Sequence, residues 1–382
     1  MRLAITGTGM LSSVGLNAPE CFSALCRGTS GNKPLQLFSH ERYNVRRAYE
    51  IVGQNVERTD QRSRATQWLS KAILEAVHNS RIVSEHTRVA LLVGTGLRDL
   101  RSLELWWTGA HAMRVADLHF GSAVQHHINS RLPVMTLSNA CSASLFALGL
   151  AEDLLQLGEV DAVIVAGADS MTESMVGLLD RVSPLHPERI QPFEMNRRGV
   201  LLGEGAAALV LETIESAKQR GVEPLAWLRG VGMSCDASHE TAPDVIGVKR
   251  AMEDAHRRAN ITPEVVDLIL AHGTGTHLND ETEAKAIGML LGPRIHHVMI
   301  SALKGMIGHT AGASGLMSVV TAVECLRQHC VPPMIGLDEP MAEVRGFNIV
   351  ANEARRTLIK IAQIHAFGFG GVNAVAIVEK AA

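Results

Sequence analysis

Short apolar runs that suit strands alternate along this chain with longer segments whose apolar positions recur at helical spacing. RLAITG at the start is followed by a helical pattern at Pro19 to Arg27. RVALLVGTG follows a predicted helix around Thr66 to Asn79, and AVIVAGAD follows one at Ser142 to Leu157. Strands that alternate with helices in this way predict an α/β fold.

The same pattern occurs twice. RVALLVGTG (88–96) and DLILAHGTG (267–275) each follow an amphipathic helix and end in GTG. Further on, MTLSNACSASLFALGLAEDLL and VMISALKGMIGHTAGASGLMSVVTAVECL each consist of a strand, a turn of small residues and a long apolar helix. We therefore predict two similar α/β units, residues 1–215 and 216–382, packed into one body because no linker-like segment separates them.

Composition narrows the function classes. The 382 residues are 46% hydrophobic and carry a formal net charge of -3, which provides no overall field for nucleic acid or an anionic membrane. The first residues do not resemble a signal peptide, and no apolar run reaches the roughly 18 residues of a membrane helix. We expect a cytoplasmic protein. Its six cysteines show no CxxC spacing, so we expect reduced thiols.

One cysteine occupies a position that suits a nucleophile. Cys141 lies in SNACSASLFALGLA, where a predicted strand ends and a helix with small first-turn residues begins. The N–H groups and positive dipole at that helix end favour thiolate over thiol and can hold an oxyanion. A small apolar cysteine packed in the core is the alternative interpretation.

Two histidines follow the same logic. His272 lies in LILAHGTGTHLNDETEAKAI at the end of an apolar strand, and His309 lies in SALKGMIGHTAGASG between a strand and a helix. By the repeat, we expect His309 at the place that Cys141 occupies in the first half. Catalytic groups collect at such strand ends, although most of the 17 histidines must be structural or exposed. A zinc site is disfavoured, because the pairs His126/His127 and His296/His297 lack further ligands at suitable spacing.

Five ordered motifs resemble the β-ketoacyl-acyl carrier protein synthase II type of the thiolase superfamily. They span nearly the whole chain and are NACSAS, NRRGVLLGEGAAALVLE, HGTGTHLND, KGMIGHTAGASG and FGFGGVNA. The resemblance implies a thiolase-like fold, with two similar α/β halves in α-β-α-β-α layers. It also implies decarboxylative condensation of a cysteine-bound acyl group with malonyl carried on an acyl carrier protein.

Site roles follow from the resemblance. Cys141 would accept the acyl group, and the N–H groups of Cys141 and Phe369 would form the oxyanion hole. His272 and His309 would assist decarboxylation and stabilise the enolate. Lys304 would orient the second histidine through a polar network with Glu283 as its acidic partner, and Phe369 would also act as a gate.

The resemblance also implies binding roles for further residues. Leu97 falls where the family has a wall of the acyl pocket, and the other expected substrate contacts are Thr274, Thr276, Phe367, Gly368 and Gly370. The expected carrier-protein contacts are Arg58, Arg62, Arg64 and Arg197. The resemblance implies no metal and no cofactor other than the phosphopantetheine of the carrier. It also implies two-fold association, as a homodimer or as a heterodimer with a chain-length-factor homologue.

Departures from the family pattern bear on the pathway. His277, Asn196, Val372 and His365 replace the usual residues of their motifs, and the segment between GTGLRDL and NACSAS is shorter than usual. These changes spare the expected catalytic set and favour type II polyketide or polyene synthesis over housekeeping fatty acid synthesis. The alternatives are a thiolase, an acyltransferase or malonyl decarboxylase of the same fold, and an inactive chain length factor.

Overall fold

The computed structural model describes residues 2–39, 41–52, 62–82, 87–121, 124–125, 133–182 and 187–381. Its strands are β1 Leu3–Ser12, β2 Lys33–Pro34, β3 Arg47–Ala48, β4 Val89–Gly94, β5 Val134–Leu137, β6 Ala162–Asp169, β7 Gly205–Glu212, β8 Ala226–Cys235, β9 Leu268–Leu270, β10 Met299–Ser301, β11 Cys330–Val331, β12 Asn348–Ile349, β13 Arg355–Arg356, β14 Ile361–Gly368 and β15 Val372–Lys380. The predicted strands at the start, at RVALLVGTG and at AVIVAGAD correspond to β1, β4 and β6.

The α-helices of the described residues are α1 Ala18–Cys26, α2 Arg64–Ser80, α3 Leu100–Trp107, α4 Ala143–Gln156, α5 Glu173–Val182, α6 Ile214–Gln219, α7 Val245–Ala259, α8 His277–Leu291, α9 Lys304–Ile307 and α10 Ser314–Gln328. Short 3-10 helices are Val115–Leu118, Ala140–Ser142, Pro263–Val265, Gly292–His296, Ala311–Ala313 and Ala342–Val344. The predicted helices around residues 19–27, 66–79 and 142–157 correspond to α1, α2 and α4.

Eleven of the strands that the structure describes form one sheet in the order β12-β10-β9-β14-β15-β8-β1-β7-β6-β4-β5. The two sides of this sheet repeat one pattern of pairing. β4 pairs in parallel with β5 and β6, as β9 does with β10 and β14. β6–β7 and β14–β15 are antiparallel, and β1 joins the two sides through a short antiparallel pairing with β8. The repeated topology confirms the α/β class with two similar halves.

Helices complete the layers. α2 packs outside the first half against β1, β7 and β6, and α7 packs outside the second half against β8 and β15. Between the halves lie α4 and α10, and each contacts strands of both. Every residue from Ser314 to Leu326 of α10 is buried, as expected for a helix enclosed on all sides. This arrangement confirms the predicted α-β-α-β-α layers.

Among the residues that the structure describes, none of the helices combines the length and apolarity that a bilayer crossing requires.

Candidate active site

Cys141 lies in a tight turn between β5 and α4. The turn begins with Ala140, whose φ of 49° is unusual for a residue with a side chain, and continues as a 3-10 helix into α4. The N–H groups of Phe369 and of Cys141 itself donate toward the sulfur. The thiol is partly exposed, so a substrate can reach it. Two backbone donors at a nucleophile are the arrangement of an oxyanion hole.

The histidine pair lies beside this turn. His272 follows β9 and His309 follows α9, and both side chains are buried. Their rings meet edge to face, with centroids 5.4 Å apart. Cys141 and both histidines line one cleft. Three residues that are far apart in sequence therefore meet at the carboxyl ends of the strands, where α/β folds place their chemistry.

The repeat aligns His309 differently from our expectation. Ala140 has its counterpart in Ala311, which also has a positive φ, of 43°, and also begins a 3-10 helix that leads into a central helix. Gly312 therefore stands at the place of Cys141, and His309 lies three residues earlier. The prediction that His309 and Cys141 are equivalent was wrong, because the short helix α9 is inserted between β10 and this turn.

Lys304 contacts the first histidine. Its ammonium group donates to the backbone carbonyl of His272 and lies 3.3 Å from Nδ1 of the same residue. An ammonium group has no acceptor, so Nδ1 of His272 accepts and its proton resides on Nε2. The expectation that Lys304 orients the second histidine is corrected, since within the described part of the chain Lys304 hydrogen bonds to His272 and not to His309.

Glu283 holds the backbone below the histidine. Its carboxylate accepts from the N–H of His272 at 2.7 Å and from that of Gly273 at 2.8 Å. It also attracts Lys304 electrostatically. One turn earlier on α8, Asp280 accepts from the N–H groups of Thr274 and Gly275. Two carboxylates on one helix face thus fix the loop that carries His272.

Burial dominates the charge states of the site. It raises the pKa of Cys141 to about 11, and the nearby carboxylate of Asp169 adds to the rise, while Lys304 and the two N–H groups oppose it. It holds the pKa of both histidines well below the usual value, and Lys304 lowers both further. It lowers the pKa of Lys304 to about 8 against the attraction of Glu283. At neutral pH the site therefore contains a thiol, two neutral imidazoles and an ammonium group.

The space in the cleft that protein atoms do not fill, including its part open to solvent, is about 690 Å³. Its walls are mainly apolar, and four of the expected substrate contacts line it, namely Thr274, Thr276, Phe367 and Gly368. Phe369 also lines it and is 44% exposed at the surface. The structure does not place Leu97 or Gly370 on this lining: the amide of Leu97 donates to Asp169, and that of Gly370 donates to the carbonyl of Glu240.

The model for the N-terminal domain of the β-ketoacyl synthases matches residues 1–217, and the model for the C-terminal domain matches residues 225–338. The chain belongs to the β-ketoacyl synthase family. It is 32% identical to 3-oxoacyl-[acyl-carrier-protein] synthase 2 of Vibrio cholerae over 413 aligned residues, which cover 99% of each chain.

Solved ketosynthases have the same fold. The ishigamide ketosynthase/chain length factor superposes with a TM-score of 0.91 at 30% identity, covering 100% of this chain and 99% of the other. A type II polyketide ketosynthase, bound to a hexaketide and in complex with its acyl carrier protein, superposes with a TM-score of 0.89 at 24% identity, covering 99% of both chains. The thiolase-like fold expected from the motifs is confirmed.

The arginines expected to dock a carrier protein separate into two groups. Arg58 lies outside the described residues, and Arg62 is exposed. Arg64 is only 5% exposed and forms a 2.6 Å ion pair with the buried Glu204. Arg197 is also buried, and it donates to the backbone carbonyls of Thr276 and His277. Arg64 and Arg197 are therefore corrected from docking to structural residues of this ketosynthase.

Sequence reasoning missed several residues of the ketosynthase site. Asp280 and Asp169 were not singled out, although each had a signal: Asp280 stands three residues before Glu283, and Asp169 is the one polar residue that ends AVIVAGAD. The apolar walls were missed as well, because no spacing rule links them to Cys141; they are Met175, Leu179, Val200 and Leu202. Of the disfavoured zinc candidates, His126 and His127 lie outside the described residues, and His296 hydrogen bonds to the carbonyl of Gly346.

Proposed function

We propose that this ketosynthase condenses an acyl group on Cys141 with malonyl delivered by an acyl carrier protein. The observation that supports it most directly is the meeting of Cys141, His272 and His309 around one largely apolar cleft, with two N–H donors at the sulfur. Relatives named 3-oxoacyl-[acyl-carrier-protein] synthase 2 over the full chain length support the same reaction.

Acylation comes first. The thiol of Cys141 attacks the carbonyl of an incoming thioester, while the N–H groups of Cys141 and Phe369 stabilise the oxyanion. A neutral imidazole of the pair takes the thiol proton and passes it to the departing thiolate of the carrier. Burial keeps His309 neutral, so it can act as the base at this step, whereas both ring nitrogens of His272 are already occupied, one by its proton and one by Lys304.

Condensation follows. The bond between the malonyl α-carbon and its carboxylate breaks, CO2 leaves, and the electron pair enters an enolate thioester. Nε2–H of His272 points away from Lys304 and donates to the enolate oxygen. The enolate carbon attacks the acyl carbonyl on Cys141, the carbon–sulfur bond breaks, and the released thiolate takes up a proton. An apolar cleft excludes water that would otherwise hydrolyse the thioester.

The substrates would arrive on a phosphopantetheine arm, and the chain itself would hold no cofactor. The hydroxyl groups of Thr274 and Thr276 lie 2.8 Å apart on the cleft lining and can hydrogen bond to the amides of such an arm. Arg62 remains the exposed candidate for contact with an acidic carrier protein. The role of Phe369 as a gate stays a prediction.

A second subunit fits the open edge of the sheet. β5 is the last strand in the order, its Met135 is 52% exposed, and Trp107 on α3 is 82% exposed. Exposed strand edges and large apolar side chains favour a partner. A homodimer, or a heterodimer like the ketosynthase/chain length factor among the solved structures, would cover them. A specialised polyketide or polyene pathway, the cytoplasmic location and the division at residue 215 stay predictions.

Intact-mass spectrometry with a panel of acyl carrier proteins tests the acylation step. We expect a mass gain equal to the acyl group in wild type and in Cys235→Ser, which removes an exposed thiol, but none in Cys141→Ala. Addition of malonyl carrier protein should then discharge the acyl group as a longer ketoacyl product. Discharge without elongation would favour the acyltransferase alternative, and acylation of Cys141→Ala would refute the assignment of the nucleophile.

A further inference from the structure

A chain of buried hydrogen bonds extends from the active site to the outer helix α7. Nδ1 of His365 lies 2.8 Å from Oε1 of Glu283, and Nε2 of His365 lies 2.6 Å from the amide nitrogen of Gln363. The amide oxygen of Gln363 lies 2.6 Å from Nε2 of His256. All four side chains are buried, with Gln363 and Glu283 at 0% exposure.

The atoms of this chain define its direction. The amide nitrogen of Gln363 can only donate, so Nε2 of His365 accepts and the ring proton resides on Nδ1. That proton is donated to Glu283. The amide oxygen of Gln363 accepts in turn from Nε2–H of His256. Each hydrogen bond therefore points toward the carboxylate, and aligned hydrogen bonds in a buried network strengthen one another.

Glu283 transmits this arrangement to the reacting groups. It binds the backbone N–H groups of His272 and Gly273 and attracts Lys304. Lys304 as an ammonium group fixes the His272 tautomer that presents Nε2–H to the substrate. A buried carboxylate needs hydrogen-bond donors to replace the water that it has lost, and His365 lies against Oε1, the oxygen that also accepts from the N–H of His272.

We propose that His365, oriented by Gln363 and His256, is a positioning residue for the condensation. By donating to Glu283 it keeps Lys304 protonated beside His272. A residue that only filled the space between β14 and α8 would need no polar atoms there. The inference rests on the proposed function and adds three residues to its machinery that never touch the substrate.

The test measures acylation of Cys141 and CO2 release from malonyl carrier protein separately in the full-length enzyme. In His365→Leu we expect CO2 release from malonyl carrier protein by the acylated enzyme to fall by roughly ten- to hundredfold, because misplaced catalytic groups lose about that much. Acylation of Cys141 should stay within about twofold. His365→Gln keeps an amide N–H donor and should recover a large part of the CO2 release.

The pH profile provides a second readout. In wild type, CO2 release should fall as the pH rises through the Lys304 pKa of about 8, because the neutral amine has a lone pair that can accept from His272 and therefore no longer fixes its tautomer. Among the described residues, Lys304 faces the charged or titratable groups of Glu283, Asp280, Cys141, His272 and His309. In His365→Leu, Glu283 should attract the Lys304 ammonium group less strongly and so lower its pKa. The alkaline side of the pH profile should therefore move to lower pH.

Matched variants distinguish positioning from packing. Thr6→Val removes a buried donor to another buried carboxylate, Glu212, in the opposite half, and should leave the pH profile unchanged. His256→Leu removes the last hydrogen bond of the buried network, the one to Gln363. It should shift the alkaline limb of the pH profile in the same direction by a smaller amount. The inference would be overturned if His365→Leu and His256→Leu lowered the Tm but released CO2 at the wild-type rate and with the wild-type pH profile. Acylated wild type that releases no CO2 would overturn the proposed function together with it.

Discussion

Cys141 has the N–H donors of a helix start, yet burial outweighs them and raises its pKa to about 11. The expectation of a thiolate took the helix end into account but not the desolvation that accompanies an enclosed cleft. The resting nucleophile is therefore a thiol that needs a neighbouring base. His309, which burial keeps neutral, is suited to that task.

Alkylation by iodoacetamide tests this charge state. Because the reactive thiolate is a minor species below pH 11, its fraction and the rate at Cys141 should rise about tenfold per pH unit between about pH 7 and 9. The rate is followed by peptide mass spectrometry, with Cys141→Ala to assign the signal. A rate independent of pH in this range would show that the thiolate is already formed.

Arg64 and Arg62 differ in what they contribute, although they are two residues apart. Arg64→Ala should lower the free energy of unfolding by roughly 3–5 kcal/mol, because it leaves the carboxylate of Glu204 buried without its cation. Arg62→Ala should change it by less than about 0.5 kcal/mol and weaken binding of the carrier protein instead. Denaturant unfolding and a binding titration check both. Weakened carrier binding by Arg64→Ala at unchanged stability would contradict this division.

At the scale of elements, the two central helices approach the strands closely through small residues. A Cβ on Gly312 would lie 2.3 Å from the backbone nitrogen of Gly96, in the turn after β4. This contact packs the start of the second 3-10 turn against the first half. Gly288 on α8 is the opposite case, since a Cβ there would meet no atom within 4 Å.

Alanine at these two glycines should have opposite effects. Gly312→Ala should cost roughly 1–3 kcal/mol of stability, because backbone must move to relieve the clash. Gly288→Ala should stabilise by up to about 1 kcal/mol, because alanine favours a helix interior. Thermal unfolding of both variants measures the difference. Equal Tm values for Gly312→Ala and wild type would show that the two halves are packed less tightly than described.

The elements were predictable to the extent that their signals are local. Apolar runs that end in glycine-rich turns predicted the positions of Cys141, His272 and His309. Cys141 and His272 follow strands, and His309 follows the short helix after a strand. The short helix α9, which shifts His309 out of register with Cys141, has only four residues and no periodicity to detect. Such a short element forms because its surroundings bury it, and no local pattern reports that.

At the scale of the whole molecule, the roles of several residues depend on burial and on partners that are distant in sequence, which no local pattern indicates. Arg64 pairs with Glu204, 140 residues away, so nothing near Arg64 in the sequence indicates that its charge is buried. His365 was noted only as a departure from the family, and its link to Glu283 spans 82 residues. Leu97 has the motif position of a pocket wall, but its backbone amide donates to Asp169.

The open edge at β5 leads to a prediction about assembly. We expect light scattering to give the mass of a dimer. This dimer consists either of two copies of wild type or of wild type and a chain-length-factor homologue. Met135→Lys should shift the species toward monomer, because a charge on an apolar contact costs free energy when it is buried. Lys33→Met, at an exposed position of the β2–β3 pair, should leave the mass unchanged. A Met135→Lys variant with the wild-type mass would place the interface elsewhere.

Condensation itself is tested most directly with malonyl carrier protein carrying carbon-13 at the methylene carbon or at the free carboxyl group. Acylated wild type should retain the methylene label in a ketoacyl product two carbons longer and release the carboxyl label as CO2, one for each product, while Cys141→Ala should form no product. Labelled CO2 without a longer product would make the chain a decarboxylase, and acyl transfer without CO2 would contradict condensation altogether.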